Sequence, residues 1–127
     1  MEIRVYYEDT DVGGIVYHAN YLKFCERDRS EYFFKEGLTP HSKEGEFVVV
    51  KIEADFKASA RLGDVLDVKT DIIQLKSSSM ILNQRVYKDD IILFNMQVKL
   101  GFIKDGKIGK MSPEIRSMLT ELFSQDL

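Results

Sequence analysis

Period-two alternation runs through most of the second half of the chain. Val50, Ile52, Ala54 and Phe56 alternate with Lys51, Glu53, Asp55 and Lys57; Leu66, Val68, Thr70 and Ile72 alternate with Asp67, Lys69 and Asp71; Phe94, Met96, Val98, Leu100 and Phe102 alternate with Asn95, Gln97 and Lys99. Successive side chains of a strand point to opposite faces, so each segment reads as a strand with one face inward, and Met80 to Tyr87 supplies another. The connections Lys76 to Ser79 and Lys88-Asp89-Asp90 are short. Hairpin pairing of sequential strands in an antiparallel meander is therefore expected, and a parallel doubly wound sheet is disfavoured.

The first half follows a different rhythm. Ile3, Val5 and Tyr7 alternate with polar residues in a short strand over residues 2–7, and a loop rich in acids follows, containing the pair Gly13-Gly14. From about Ala19 to Lys35 no Gly or Pro interrupts a helical run that Gly37 can terminate, with Glu26 and Arg29 spaced as a solvated helix pair. Its apolar residues form two clusters, Tyr21 to Cys25 and Tyr32 to Phe34, on either side of the polar stretch Glu26 to Glu31. That pattern argues against burial on all sides. Near the end, Ser112 is an N-cap before Pro113, and Ile115, Met118, Leu119, Leu122 and Phe123 share one face of a short helix.

A strand, a long helix, four antiparallel strands and a final helix define an α+β protein whose sheet must cover the first helix. At 127 residues and 44% hydrophobic content, the chain suits a single domain over 1–127 with its own core. The net charge of −3 and the lack of a basic run exclude nucleic acid as a main partner. Basic residues outnumber acidic ones only from residue 47 onward, so a phosphate-bearing ligand is expected to be held from that part. No segment has the length and apolarity of a transmembrane span, and MEIRVYYEDT lacks a signal-peptide pattern; a cytoplasmic protein is expected. The lone Cys25 offers neither a disulfide nor a metal framework and reads as a small core residue.

Candidate chemistry concentrates between the first strand and the long helix. Taken alone, Asp9 and Asp11 read first as turn carboxylates bonding local backbone, and with His18 as an unfavoured divalent-ion set. Gly13-Gly14 lacks the spaced glycines and lysine of a phosphate loop, so nucleotide triphosphate hydrolysis is unsupported. His41, beside Pro40, reads as an exposed turn residue.

The whole run Tyr6-Tyr7-Glu8-Asp9-Thr10-Asp11-Val12-Gly13-Gly14-Ile15-Val16-Tyr17-His18-Ala19-Asn20-Tyr21 resembles the signature of the 4-hydroxybenzoyl-CoA thioesterase family, specifically its YbgC-type acyl-CoA thioesterases. Glu26 to Glu31 and Ala60-Arg61-Leu62-Gly63-Asp64 resemble the family's helix and a later motif, while Ser59 and Ser77 depart from residues common in relatives. The resemblance implies a hot-dog fold, in which an antiparallel five-stranded sheet wraps a long central helix and a short C-terminal helix follows. It also implies hydrolysis of acyl-CoA without metal or redox cofactor, in a homodimer or homotetramer with sites near the subunit interface.

On the same basis Asp11 is the expected catalytic carboxylate, acting as nucleophile or general base, with His18 at the helix start and Tyr7 as further catalytic positions. Gly14, Asn20, Arg61, Lys76 and Ser78 form the expected substrate-binding set, Arg61, Lys76 and neighbouring Lys57 facing coenzyme A's phosphates. Of the two glycines, Gly14 is expected to be the tighter requirement. Two other functions fit the same scaffold: a hot-dog dehydratase or hydratase, and a non-hydrolytic acyl-thioester binding or scaffold protein.

Overall fold

The computed structural model describes residues 1–124, so the last three positions of the expected 1–127 domain lie outside the described residues. The elements are β1 (Glu2–Arg4), α1 (Asn20–Phe34), β2 (Glu46–Phe56), β3 (Val65–Leu75), β4 (Ser79–Lys88), β5 (Ile91–Lys104), β6 (Lys107–Ile108) and α2 (Pro113–Leu122). All pairings are antiparallel, in the order β1-β3-β4-β5-β2, with the two-residue β6 folded back on β5. This is the expected antiparallel sheet of five strands wrapped on a long helix, with a small sixth strand added.

Three local expectations need correction. The first strand ends at Arg4, because the Asp9 carboxylate accepts the Tyr6 N–H at 2.9 Å and folds Tyr7–Asp9 into a single 3-10 turn. Next, β3, β4 and β5 form the expected meander, but β2 pairs with β5 at the opposite edge from β1. The connection 57–64 is too long for a tight hairpin and carries the chain across the sheet. Third, Val50 does not share a face with Ile52, Ala54 and Phe56. The register slips by one residue between Val49 and Lys51, and the Val50 side chain lies beside that of Val48 over Gly101, on the other face.

Phe94, Met96, Val98, Leu100 and Phe102 of β5 are all buried, as alternation requires, and α1 packs chiefly on β3 and β4. Polar residues do enter this interface: Asp28 and Ser30 of α1 are buried. The sheet supplies a partner to Asp28 from Thr70, itself backed by Gln84, both fully covered. Thr70 Oγ1 donates to Asp28 Oδ2 at 2.6 Å, while Gln84 Nε2 donates to Thr70 Oγ1 at 2.7 Å and to the Cys25 carbonyl at 2.8 Å. A buried polar group is tolerated when so paired, which is how a polar stretch can face a sheet.

Glu26 and Arg29 each take another partner instead of forming a solvated pair. Glu26 accepts from Ser30 Oγ at 3.1 Å, and Arg29 Nη1 reaches Gln84 Oε1 at 3.3 Å. Burial pushes the Cys25 thiol up to about 12, so it remains an inert packing residue. At the far end of α1, Phe123 packs on Tyr32 and Phe33 with ring centroids 5.0 and 5.7 Å apart, docking α2, whose N-cap Ser112 accepts the Ile115 N–H. His41 is exposed, its Nδ1 3.2 Å from Glu46 Oε2.

Candidate active site

The loop before α1 is a small hairpin. Thr10 bridges Val16, the Asp11 N–H donates to the Ile15 carbonyl at 2.9 Å, and the Gly14 N–H returns to the Asp11 carbonyl at 3.1 Å. Gly14 has φ +80, a left-handed conformation in which a side chain is strained. Gly13 is constrained differently: a Cβ there would stand 3.2 Å from Asp11 Oδ1. One glycine lets the chain turn, and the other leaves room for the carboxylate.

Gly13 also orients that carboxylate, since its N–H donates to Asp11 Oδ1 at 2.8 Å. Among the described residues nothing bonds Oδ2. One oxygen is thus held and the other is available. The hairpin is tied by backbone bonds to the β2–β3 connection, Val16 N–H to the Ala60 carbonyl at 2.9 Å and Leu62 N–H to the Gly14 carbonyl at 3.4 Å. At the helix side, Asn20 Nδ2 and the Tyr17 N–H both donate to the Asp9 carbonyl, at 2.9 and 3.0 Å.

α1 begins without a side-chain cap, its N-cap being Ala19. Among the described residues the N–H groups of His18 and Ala19 meet no acceptor. Unpaired donors at the positive end of a helix favour an incoming oxygen. A cavity of about 380 Å³ opens beside them, lined by Asp11, Ile15 to His18 and Tyr21 on one side and Phe56 to Ser59 on the other.

The structure brings Asp11, His18 and Lys57 together in this cavity. Tyr7 stands across the loop, 83% exposed, in a second cavity of about 280 Å³ shared by Asp11 and Gly14. Asp11 therefore separates Tyr7 from His18. Arg61 bridges Ile15 through its backbone and leaves its side chain exposed nearby. The Asn20 side chain is occupied by the Asp9 carbonyl and lines neither cavity.

Lys76 and Ser78 lie in the turn after β3, at the end of that strand remote from Arg61. Eleven residues of strand separate the two ends by roughly 30 Å, so one chain does not bring Lys76 and Ser78 to Asp11. Sequence reasoning missed Tyr17, Tyr21, Phe56 and Ala58 as cavity residues; Phe56 and Tyr21 looked like ordinary core positions, and nothing in their spacing distinguished them. Among the described residues no group of three or more His, Cys, Asp or Glu side chains could hold a metal ion.

Residues 13–94 match the family described as the Thioesterase superfamily. The chain is 46% identical to the acyl-CoA thioesterase YbgC of Helicobacter pylori over 112 residues, which is 81% of this chain and 84% of that one. A hypothetical protein from Aquifex aeolicus superposes with a TM-score of 0.88 at 26% identity, over 94% of this chain and 97% of the other. A Thermus thermophilus thioesterase complexed with coenzyme A and Zn superposes with a TM-score of 0.84 at 25% identity, over 98% of this chain and 94% of the other. With its antiparallel sheet wrapped on a long helix and its glycine-turned loop before that helix, this chain belongs to the thioesterase superfamily.

Proposed function

We propose that the chain hydrolyses acyl-CoA thioesters to a free acid and coenzyme A, with Asp11 as the reacting carboxylate. The observation that carries this reading is one cavity shared by an oriented carboxylate with a free oxygen and by the uncapped first turn of a helix. A thioester seated there, its carbonyl oxygen toward the His18 and Ala19 N–H groups, has its carbon polarised for attack. Asp11 Oδ2 either adds to that carbon, giving an anhydride, or takes a proton from a water that adds. The tetrahedral species collapses by breaking the C–S bond, the thiolate leaves and takes a proton, in this reading from His18, and on the first route a water then cleaves the anhydride to release the acid and restore Asp11. Tyr7 would serve the opposite side of Asp11, where the second cavity lies.

The name of the Helicobacter pylori relative and the coenzyme A bound by the Thermus thermophilus one support the same substrate class. Free thiol release from a panel of acyl-CoAs of graded length, plus one aroyl-CoA, tests it. Hydrolysis of at least one is expected; inertness toward all would favour a non-hydrolytic binding protein.

This reading includes a pair of chains, or a pair of pairs. β2 is an edge strand with apolar side chains exposed along its length, Val49 at 47%, Val50 at 55% and Phe56 at 54% among them. An exposed apolar edge is a template for strand pairing. Pairing two β2 edges antiparallel about a two-fold axis reverses the second subunit, so its far turn, with Lys76 and Ser78, moves to the side of the first subunit's cavity. Basic groups that one chain holds apart from Asp11 would then approach the coenzyme A arm from the other. Ile52→Arg, in the middle of β2 and 38% exposed, is expected to yield a monomer by size-exclusion chromatography with light scattering, with reduced turnover. A dimer of normal activity would rule out this edge as the seam.

A further inference from the structure

Among the polar side chains lining the cavity that the loop chemistry leaves unused, Tyr21 is one whose hydroxyl is held in place by the fold. Its oxygen accepts the Ala60 N–H at 3.0 Å. A phenol that accepts a hydrogen bond still has a proton to donate, and among the described residues no acceptor takes it. The ring cannot readily swing to find one. It is 3% exposed, stacked on Phe94 at 5.0 Å and 14°, with Phe56 edge-on at 5.9 Å and Phe24 at 6.1 Å.

Tyr21 lines the same cavity as Asp11 and His18. We propose that Tyr21 is a further catalytic residue, its hydroxyl donating a hydrogen bond to the thioester carbonyl oxygen as negative charge gathers there. This rests on the hydrolytic reading above and adds a side-chain donor to the first-turn amides. The proton stays on Tyr21 throughout; the bond is a donation, not a transfer. Burial raises the phenol above its ordinary value, so it keeps that proton at neutral pH. The Ala60 amide donating into the same oxygen polarises the O–H and strengthens the bond it gives. A donor held by packing before substrate arrives needs no reorganisation when charge develops.

Tyr21→Phe keeps the stacked ring and removes the hydroxyl. The expected result is a fall in kcat of about 10²-fold, typical of one oxyanion donor, with a rise in KM of no more than about tenfold. Two unreactive coenzyme A analogues separate donation from structural support: a ketone, in which CH₂ replaces sulfur and the carbonyl remains, and a thioether without a carbonyl. The variant should bind the ketone more weakly, by about tenfold, a share of the donor's effect on the transition state, and the thioether as the wild type does. Equal weakening of both, or an unchanged kcat, overturns the proposal. Should the variant fail to fold, a fluorinated tyrosine at position 21 keeps the shape and makes the phenol more acidic. Its turnover should then fall at lower alkaline pH than the wild type's, and an unmoved alkaline limb overturns the proposal equally. If the wild type hydrolyses no acyl-CoA while the ketone preference still depends on Tyr21, the hydrolytic reading fails and the hydroxyl remains a ligand donor.

Discussion

Asp11→Asn is expected to reduce kcat on acyl-CoA by about 10²–10⁴-fold, the contribution of a positioned base, and by more if the carboxylate is the nucleophile. The fold should survive the exchange. The one hydrogen bond the side chain makes, from the Gly13 N–H to Oδ1, can equally be accepted by an amide oxygen. KM should move little, because the exchange removes reactivity without removing volume. Thiol release in single turnovers, together with a thermal melt, checks both halves. A kcat near wild type would take Asp11 out of the chemistry. An equal loss accompanied by a lowered melting point would instead mean that the loop, not the reaction, depends on the charge.

Phe94→Ala is expected to produce the largest loss of stability, about 3–5 kcal/mol. The ring is fully buried in β5, 5.0 Å from both Tyr21 and Phe56. Removing it withdraws the surface on which Tyr21 stacks and opens a space that α1 and the sheet can only partly close. Against a total stability of about 5–15 kcal/mol, such a loss lowers the melting temperature by roughly 10–20 °C. Calorimetry measures it, and a drop of only a few degrees would show that neighbouring side chains refill the space. Turnover below the melting point should also fall, since Tyr21 and Phe56 both line the cavity.

Much of the fold was legible because alternation and helical runs report which faces are buried, and β3, β4, β5 and both helices follow them closely. The errors have physical sources. A bulge at Val50 breaks the period-two rule by one residue, and no local residue type announces it. The β2–β3 connection has the composition of any loop, so its passage across the sheet is a property of the tertiary fold. The polar middle of α1 reads as solvated because the partners that satisfy it, Thr70 and Gln84, lie 42 and 59 positions away from Asp28 and Cys25.

Legibility at the site was uneven for related reasons. Asp11, His18 and the glycine pair lie in one continuous segment, and the resemblance of that whole run to a family signature, not their spacing, singles them out. The resemblance puts Lys76 and Ser78 in one substrate-binding set with Arg61, whereas within one chain a full-length strand separates them. Asn20 was read as a ligand contact, yet its amide joins the loop to the helix by holding the Asp9 carbonyl. Tyr21 looked like packing and is packing, with a hydroxyl whose position becomes visible only when Ala60 is placed against it.

The two walls of the cavity come from separate stretches of chain, and the Val16–Ala60 and Leu62–Gly14 links between them are main-chain bonds. Main-chain bonds are indifferent to what side chain a residue carries. On the proposed reading, Ala58 and Ser59 can therefore be exchanged for bulkier or smaller groups, altering which acyl tails would be admitted, while the carboxylate across the gap keeps its aim. Selectivity and reactivity would then be carried on different segments, free to change independently of each other.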